Sequence, residues 1–416
     1  MLYLQSSREN YSWQDQWPHC PLLILLFLNH SLVLSGAVLH YTNWYFTADF
    51  LRTAYDDRQQ VDSIYLDIRK AFDTVSHNKL LSKLWDAGIV GDIWSFFKAY
   101  LSHRQQCVLI EGQPSEWLPV SSGVPQGSIF GPLLFILFIN DLPSVPSFSR
   151  SFLFADDTKC CARVLSLSDC SKVQEDLDLI CNWSMECGLS FNASKSWLLW
   201  FPNRHSTIFD FTYSLNEVSI PSLSHCRDLG IVFSHDLSWS LHYNSISAKA
   251  YRQLGLIRRT FSPSISTNVK KLLYLSLVRS QVSYCSQVWR PHFIKDIKLL
   301  ERIQRRATKY ILNDYSSDYK SRLTALHLLP LMYFYELLDV LFFVRCLKFP
   351  DPSFQILDFV SFSSAPTRSA SNAKLTHKSQ VSLLHSSQLF CQAGAHLELP
   401  SPYRYLTVLY QYQSLS

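Results

Sequence analysis

Three aspartates are the side chains of this 416-residue chain whose types and positions best suit catalytic chemistry. Asp67 lies near the end of a strand predicted within residues 61–68, and Asp156 and Asp157 lie at the tip of a predicted apolar hairpin. Two like charges about 4 Å apart repel strongly in dehydrated surroundings, so we expect a divalent cation to compensate them. Mg²⁺, which binds carboxylate and phosphate oxygens, is the best candidate.

These carboxylates converge if the strand that carries Asp67 neighbours the hairpin. Two ions about 3.5–4 Å apart would then suit an in-line phosphoryl displacement, with one ion activating a hydroxyl and the other stabilising the leaving oxygen. The alternative is that Asp156-Asp157 is an ordinary turn dipeptide.

The elements around these aspartates alternate between strands and helices up to about residue 239. The pattern predicts a helix between Ser76 and Gly88, a second helix from Asp92, a hairpin over 105–120 and a loop over 121–131. Further helices are predicted from Pro132 to Asn140, buried on all sides, and from Ser168 to Gly188. Short strands are predicted within 152–164 and near residues 196–201, 209–213 and 229–233.

Composition excludes several classes of protein. Hydrophobic residues make up 47% and charged residues 17%, which is enough apolar surface to build a core and argues against global disorder. The 11 cysteines contain no C-x-x-C pair, so neither a disulfide framework nor a zinc ribbon is supported.

Charge is distributed unevenly along the chain. Residues 241–320 contain 15 Lys and Arg against 4 Asp and Glu, a net charge of +11, and the rest of the chain is therefore at −6. A basic block beside an acidic remainder suggests a polyanion held by one part and metal-binding or catalytic carboxylates in the other.

Four stretches carry a resemblance to a known family: VDSIYLDIRKAFDTVSHNKLLSKL (61–84), SSGVPQGSIFGPLLFILFINDLP (121–143), SFLFADDTKC (151–160) and GLSFNASKSWLLWF (188–201). In order and spacing they resemble the reverse transcriptase of non-LTR (LINE-type, jockey-like) retrotransposons. The likeness extends from about Ala48 to about Leu347. It implies an α+β fold: a polymerase palm of antiparallel sheet backed by helices, followed by a helical thumb.

The resemblance also implies roles for residues of the palm. Asp67 and Asp156 match the metal-binding aspartates, Ile68 the residue whose main-chain carbonyl joins the metal, and Asp157 a supporting carboxylate. Lys195 matches a lysine of the fourth motif that acts as general acid or charge stabiliser; the alternative is a solvated surface lysine.

Further positions would contact the substrates. Phe72 matches an aromatic residue under the incoming sugar that favours dNTP over rNTP, although an ordinary core phenylalanine is a serious alternative. Pro125, Gln126 and Gly127 match a loop that contacts template and nucleotide, and the alternative is a plain Gly-Pro connector.

The resemblance also implies two further regions that would contact nucleic acid. Leu229 and Gly230 match a segment that steadies the primer end. The helix predicted over 295–312 matches the thumb, where cations would contact phosphates; the alternative is a solvated charged face. Its candidate cations are Arg302, Arg305, Arg306 and Lys309.

The resemblance to the family does not extend to either end of the chain. Residues 1–47 match neither a fingers region nor an endonuclease, and 347–416 read as a loosely ordered tail without a Cys/His knuckle. We therefore expect a palm at 48–239 and a thumb at 240–346, as in a 5′-truncated element copy. Residues 21–46 are apolar and allow the weaker alternative of a membrane segment.

The sequence thus predicts an RNA-directed DNA polymerase that uses two Mg²⁺ ions, with Mn²⁺ as a substitute. It would transfer a nucleotide from dNTPs to a primer 3′-hydroxyl. Its partners would be an RNA template and DNA primer or target DNA, in the nucleus or cytoplasm. A catalytically inactive remnant that binds nucleic acid is the alternative.

Overall fold

The computed structural model describes residues 53–202, 208–262 and 264–348, together with residues 47, 50 and 51 and three short strands near the ends of the chain. Its Cα positions form two compact units, Met1–Cys226 and Arg227–Ser416. The predicted apolar segment 21–46 and nearly all of the predicted tail lie outside the described residues.

The strands of the first unit are two to eight residues long, and four of them form one central sheet. In chain order they are β1 (Tyr3–Gln5), β2 (Gln60–Leu66), β3 (Gln105–Ile110), β4 (Gln113–Pro114), β5 (Leu118–Pro119), β6 (Arg150–Phe154), β7 (Asp157–Val164), β8 (Trp197–Phe201), β9 (Ser214–Leu215) and β10 (Val218–Ser219). β11 (His225–Asp228) runs across the division between the units.

The central sheet is antiparallel throughout, in the order β6-β7-β2-β8. Alternation along the strands places Ile64 and Leu66 on one face, where they pack into the main apolar core with Cys160 and Ala162 of β7.

The first unit also contains the helices α1 (Ala71–Thr74), α2 (His77–Asp86), α3 (Gly91–Leu101), α4 (Phe130–Ile139) and α5 (Leu167–Cys187). Residues 53–56 are helical too, and Leu142–Ser144 and Ala193–Lys195 form short 3-10 helices. Leu134, Phe135 and Phe138 of α4 and Leu177 of α5 are fully buried in the core beside the sheet. This arrangement, an antiparallel sheet backed by helices, confirms the predicted α+β class.

The second unit is mainly helical from Ser240 onward. After β12 (Ile231–Ser234) come α6 (Ser240–Thr260), α7 (Thr267–Leu273), a π-helical turn (Tyr274–Arg279), α8 (Ser280–Ser283), α9 (Ser286–Trp289), α10 (Ile294–Leu312), α11 (Tyr319–Ala325) and α12 (Leu331–Lys348). The short strands β13 (Val360–Phe362) and β14 (Leu375–His377) pair with each other.

The interior of the second unit holds both aromatic residues and an ion pair. Trp289 and Tyr335 are buried and pack edge to face. Arg290 pairs at 2.7 Å with the buried carboxylate of Asp339 and at 2.9 Å with Glu336.

Several predicted boundaries were wrong by a few residues. α5 begins earlier than predicted, because the hydroxyl of Ser166, rather than that of Ser168, accepts a hydrogen bond from the Asp169 amide. Residues 209–213 form no strand, and α4 is not buried on all sides, since Pro132 is exposed. No helix in the described residues is long and apolar enough to span a membrane.

Candidate active site

The strand register brings Asp67 and Asp156 to the same end of the central sheet. Leu66 pairs with Thr158, so Asp67 extends from β2 just where β7 begins. Phe154 pairs with Asp157, which leaves Ala155 and Asp156 as a two-residue turn. Ala155 adopts φ 50°, a left-handed conformation that such tight hairpin turns require.

Electrostatic effects on Asp67 link three of the predicted site residues. Burial raises the pKa of the half-buried Asp67 carboxyl, the Lys195 ammonium lowers it, and the Asp156 carboxylate raises it, with a net upward shift. The charges of Lys195 and Asp156 therefore both act on Asp67, although the three residues lie on separate segments of the chain.

Two residues that sequence reasoning missed hold the main chain of Asp67. The Asp67 amide donates to Ser196 Oγ at 3.2 Å, and the Asn192 amide donates to the Asp67 carbonyl at 2.8 Å. The hydroxyl of Ser196, which is fully buried, donates in turn to the Asn192 carbonyl at 3.0 Å. Lys195 lies between these two residues, so its turn is tied to both sides of Asp67. The signal was the polar run Asn-Ala-Ser-Lys-Ser at 192–196.

Asp157 and Ile68 complete the predicted metal-binding set. Asp157 is exposed as the first residue of β7, and Ile68 is buried and bridges to Phe191. Among the described residues no three His, Cys, Asp or Glu side chains lie close enough together to hold an ion. The convergence of Asp67, Asp156 and Asp157 on one shared metal site stays a prediction from the sequence. Mg²⁺ usually takes only one or two protein carboxylates and completes its shell with phosphate and water.

Phe72 lies in α1 at the edge of the core. Its half-buried ring stacks on Phe135 of α4, with centroids 4.7 Å apart and an interplanar angle of 18°. Packing fixes the ring position while part of its surface stays accessible, so both alternatives for Phe72 stay open.

The loop that carries Pro125, Gln126 and Gly127 is bonded to the segment that follows Phe72. Pro125 is half-buried, while Gln126 and Gly127 are exposed. The Gln126 side-chain amide donates to Asp73 Oδ1 at 2.8 Å. Gly127 adopts φ 76°, and a Cβ there would meet nothing within 4 Å, so its main chain is open to a ligand.

In the second unit, Leu229 and Gly230 form a turn between β11 and β12 with φ 43° and 88°. Tyr284 packs against this turn: its hydroxyl donates to the Leu229 carbonyl at 3.1 Å, and a Cβ on Gly230 would lie 3.3 Å from its ring. The predicted primer-contacting segment is therefore a tight turn supported by an aromatic side chain.

The six cations of α10 share one face of that helix. At 3.6 residues per turn they fall within an arc of about 100° and extend over about 21 Å. The buried residues Leu300, Ile303 and Ala307 lie on the opposite face. The cationic face consists of Lys295, Lys298, Arg302, Arg305, Arg306 and Lys309.

Tyrosine rings from neighbouring helices orient two of these cations. The Arg305 guanidinium lies 4.2 Å from the ring centroid of Tyr319, and that of Arg306 lies 5.2 Å from the ring of Tyr251.

Comparisons with known proteins identify the same family as the sequence motifs. Residues 40–232 match the family model described as reverse transcriptase (RNA-dependent DNA polymerase). Residues 40–232 therefore match a reverse transcriptase domain, and for this part of the chain the fold class and enzyme family that the resemblance implied are confirmed. Polymerases of this family use divalent metal ions.

Similarity to individual proteins gives a more specific class of reverse transcriptase. A probable RNA-directed DNA polymerase from transposon X-element of Drosophila melanogaster is 29% identical over 62% of this chain and 29% of its own length. The RNA-directed DNA polymerase from mobile element jockey of the same organism is 28% identical over 58% of this chain and 27% of its own length. The domain is thus of the non-LTR retrotransposon kind, and the chain spans less than a third of these relatives.

One solved structure shows a more distant similarity. A telomerase from Candida tropicalis, in complex with a fragment of telomeric RNA, aligns with 72% of this chain and 50% of its own at 12% identity and a TM-score of 0.37. That similarity is too low to assign any function to individual residues.

Proposed function

We propose that this chain is an RNA-directed DNA polymerase that adds nucleotides to the 3′-hydroxyl of a primer. The observation that supports the proposal most strongly is that the charges of Lys195 and Asp156 both shift the pKa of Asp67, at one end of the central sheet. Two carboxylates and an ammonium suit a transfer in which a phosphate oxygen, a hydroxyl and a leaving pyrophosphate all carry developing charge.

The carboxylates of Asp67 and Asp156, with the main-chain carbonyl of Ile68 and support from Asp157, are the groups that would hold two Mg²⁺ ions. Burial and the neighbouring Asp156 both raise the pKa of Asp67, and a cation would relieve that unfavourable interaction. When bound, such ions supply Lewis-acid stabilisation of charge at the transferring phosphate. Mn²⁺ accepts the same oxygen ligands.

Three other positions of the palm would bind the substrates. Lys195 neutralises charge near the leaving pyrophosphate, and its influence on Asp67 supports this placement. Phe72 is held by Phe135 as a rigid surface under the incoming sugar, where a 2′-hydroxyl would clash. Pro125, Gln126 and Gly127 contact template and nucleotide, which the exposure of Gln126 and Gly127 and the open main chain at Gly127 allow.

The second unit would hold the template–primer duplex. The α10 cations offer sequence-independent phosphate contacts along about 21 Å of helix. The Leu229–Gly230 turn would steady the primer end. Substrates are accordingly an RNA template, a DNA primer or nicked target DNA, and dNTPs.

The test is primer extension on an RNA template with Mg²⁺, using the whole chain and the variant Asp156→Asn. The variant keeps the side-chain shape but removes a charge, and we expect extension to fall by at least about 10²-fold. Asp178→Asn, on the exposed face of α5, is the matched control and should extend primers as the wild type does.

Two results would overturn the proposal: equal extension by the Asp156→Asn variant, or no extension by well-folded wild-type protein. In the second case, salt-sensitive binding of an RNA–DNA duplex would favour the alternative of an inactive remnant that binds nucleic acid.

A further inference from the structure

The bond between Gln126 and Asp73 fixes which end of the Gln126 amide faces Asp73. Asp73 Oδ1 lies 2.8 Å from Gln126 Nε2, and an ionised carboxylate can only accept hydrogen bonds. The NH₂ group must therefore face Asp73, and the carbonyl oxygen is left as the other functional end. Gln126 Oε1 receives no hydrogen bond from the part of the chain that the structure describes.

Main-chain bonds hold the two loops that carry these residues together. The Val124 amide donates to the Phe72 carbonyl at 2.8 Å, and the Gly123 amide donates to the Val75 carbonyl at 2.8 Å. Ser122 Oγ donates to the carbonyl of Asp73 itself at 2.9 Å.

The approach at Gly123 is so close that a Cβ there would lie 2.8 Å from the Asp73 carbonyl oxygen. Backbone packing thus sets the separation of Asp73 and Gln126 before their side chains bond. The contact between Asp73 and Gln126 is therefore fixed by the packing of the two loops against each other.

We propose that Asp73 is a positioning residue that acts through Gln126. It holds the exposed amide so that Oε1 accepts a hydrogen bond from an O–H or N–H group of the incoming nucleotide. This inference rests on the proposed polymerase function and assigns Asp73 a part in nucleotide binding rather than in metal binding. Without Asp73, the amide rotates freely and offers its acceptor only part of the time.

The experiment is a double-mutant cycle in primer extension with the variants Asp73→Ala, Gln126→Ala and both together. We expect each single variant to raise the KM for dNTP about tenfold, the loss of one charge-assisted or ligand hydrogen bond, with kcat changed less than about twofold. Because Asp73 acts through Gln126, Asp73→Ala should have no further effect once Gln126 is alanine.

Two more variants separate positioning from folding. Asp73→Asn keeps an accepting oxygen and should stay within about threefold of the wild-type KM, even if Asp73→Ala unfolds the loop. Asp178→Ala removes a similar bond elsewhere, from Gln174 Nε2 to Asp178 Oδ1 at 2.9 Å, and should leave the KM unchanged.

Repeating the cycle with 2′,3′-dideoxynucleotides identifies the donor on the nucleotide. The Asp73→Ala effect disappears with these analogues if the donor is a sugar hydroxyl, and persists if it is a group of the base. An effect of Asp73→Ala that is additive with Gln126→Ala, in an active enzyme, overturns the inference alone. A wild-type chain that neither extends primers nor binds a fluorescent dNTP overturns the polymerase function and this inference together.

Discussion

At the scale of single residues, the charge balance at Asp67 gives a direct test of the site geometry. Lys195 lowers the pKa of Asp67 and Asp156 raises it, so removing either charge should shift that pKa in the opposite direction. We expect Lys195→Ala to raise the pKa of Asp67 and Asp156→Asn to lower it. Carbon-13 titration of the Asp67 carboxyl in metal-free buffer measures both shifts.

The control for this titration is Lys195→Arg, which keeps the positive charge and should leave the Asp67 pKa near its wild-type value. If neither Lys195→Ala nor Asp156→Asn moves the pKa, the three groups are not within electrostatic reach of one another in solution.

Gly123 supports a second prediction at this scale, on stability. Its φ of 87° and the nearby Asp73 main chain leave no room for a Cβ. Gly123→Ala should therefore cost more than about 4 kcal/mol of unfolding free energy or prevent folding. Gly88 has a similar φ of 83° but nothing within 4 Å of the added Cβ.

Gly88→Ala is accordingly the matched control and should cost only about 1–2 kcal/mol, the strain of the left-handed backbone. Urea denaturation followed by circular dichroism compares the two. Similar losses for both variants would show that the two loops separate easily at Gly123.

At the scale of elements, the cationic face of α10 predicts how duplex binding responds to salt. Each phosphate contact contributes about 0.7–0.9 to the slope of log K against log salt concentration. Replacing Arg302 and Lys309 with glutamine should lower the magnitude of that slope by about twice this amount for an RNA–DNA duplex. Fluorescence anisotropy across a salt series measures the slope.

Lys320→Gln on α11 removes an exposed cation from a different helix and serves as the control. An unchanged slope in the Arg302 and Lys309 double variant would mean that this face of α10 does not contact the duplex.

Sequence patterns predicted the elements that carry strong local signals. The strand β2, the α2 apolar face and the helices from Ser240 onward were all found, although β2 is buried along its whole length rather than at alternate residues. Errors fell where competing residues offer similar local bonds: Ser166 and Ser168 are both able to cap α5, and only the fold selects one.

The same distinction, between local signals and contacts made only in the fold, applies to the residues of the candidate active site. The aspartates of the site were predicted because short sequence patterns are enough to indicate where a strand ends and where a hairpin turns. The bonds from Asn192 and Ser196 to Asp67 were not, since the two segments are more than a hundred residues apart in the chain. The Gln126–Asp73 hydrogen bond likewise depends on a contact between two loops, and the sequence of neither loop by itself indicates that contact.

At the scale of the whole molecule, His242 of the second unit should make the stability of the fold sensitive to acid. His242 is buried in α6, and its Nδ1 accepts a hydrogen bond from the Val232 amide at 3.2 Å, which requires a neutral ring. Burial, helped by Arg227 and Lys249, lowers the pKa of His242 from 6.5 to about 4.

The sign of the pH effect follows from that downward shift. Below about pH 6.5 the unfolded chain binds a proton that folded His242 refuses, so stability that is complete above pH 6.5 is lost as the pH falls towards about 4. At 1.36 kcal/mol per pKa unit the loss is about 3 kcal/mol. Burial raises the pKa of Asp339 to about 6, which acts in the opposite direction within the same pH range.

A difference measurement separates these two effects. His242→Gln cannot titrate but retains an accepting oxygen, whereas Asp339 is the same in both proteins. We therefore expect the stability advantage of the wild type over His242→Gln to shrink by about 3 kcal/mol between about pH 7.5 and pH 4, measured by urea unfolding. A constant difference across that range would mean that His242 is as easily protonated in the folded chain as in the unfolded one, and hence that water reaches its ring.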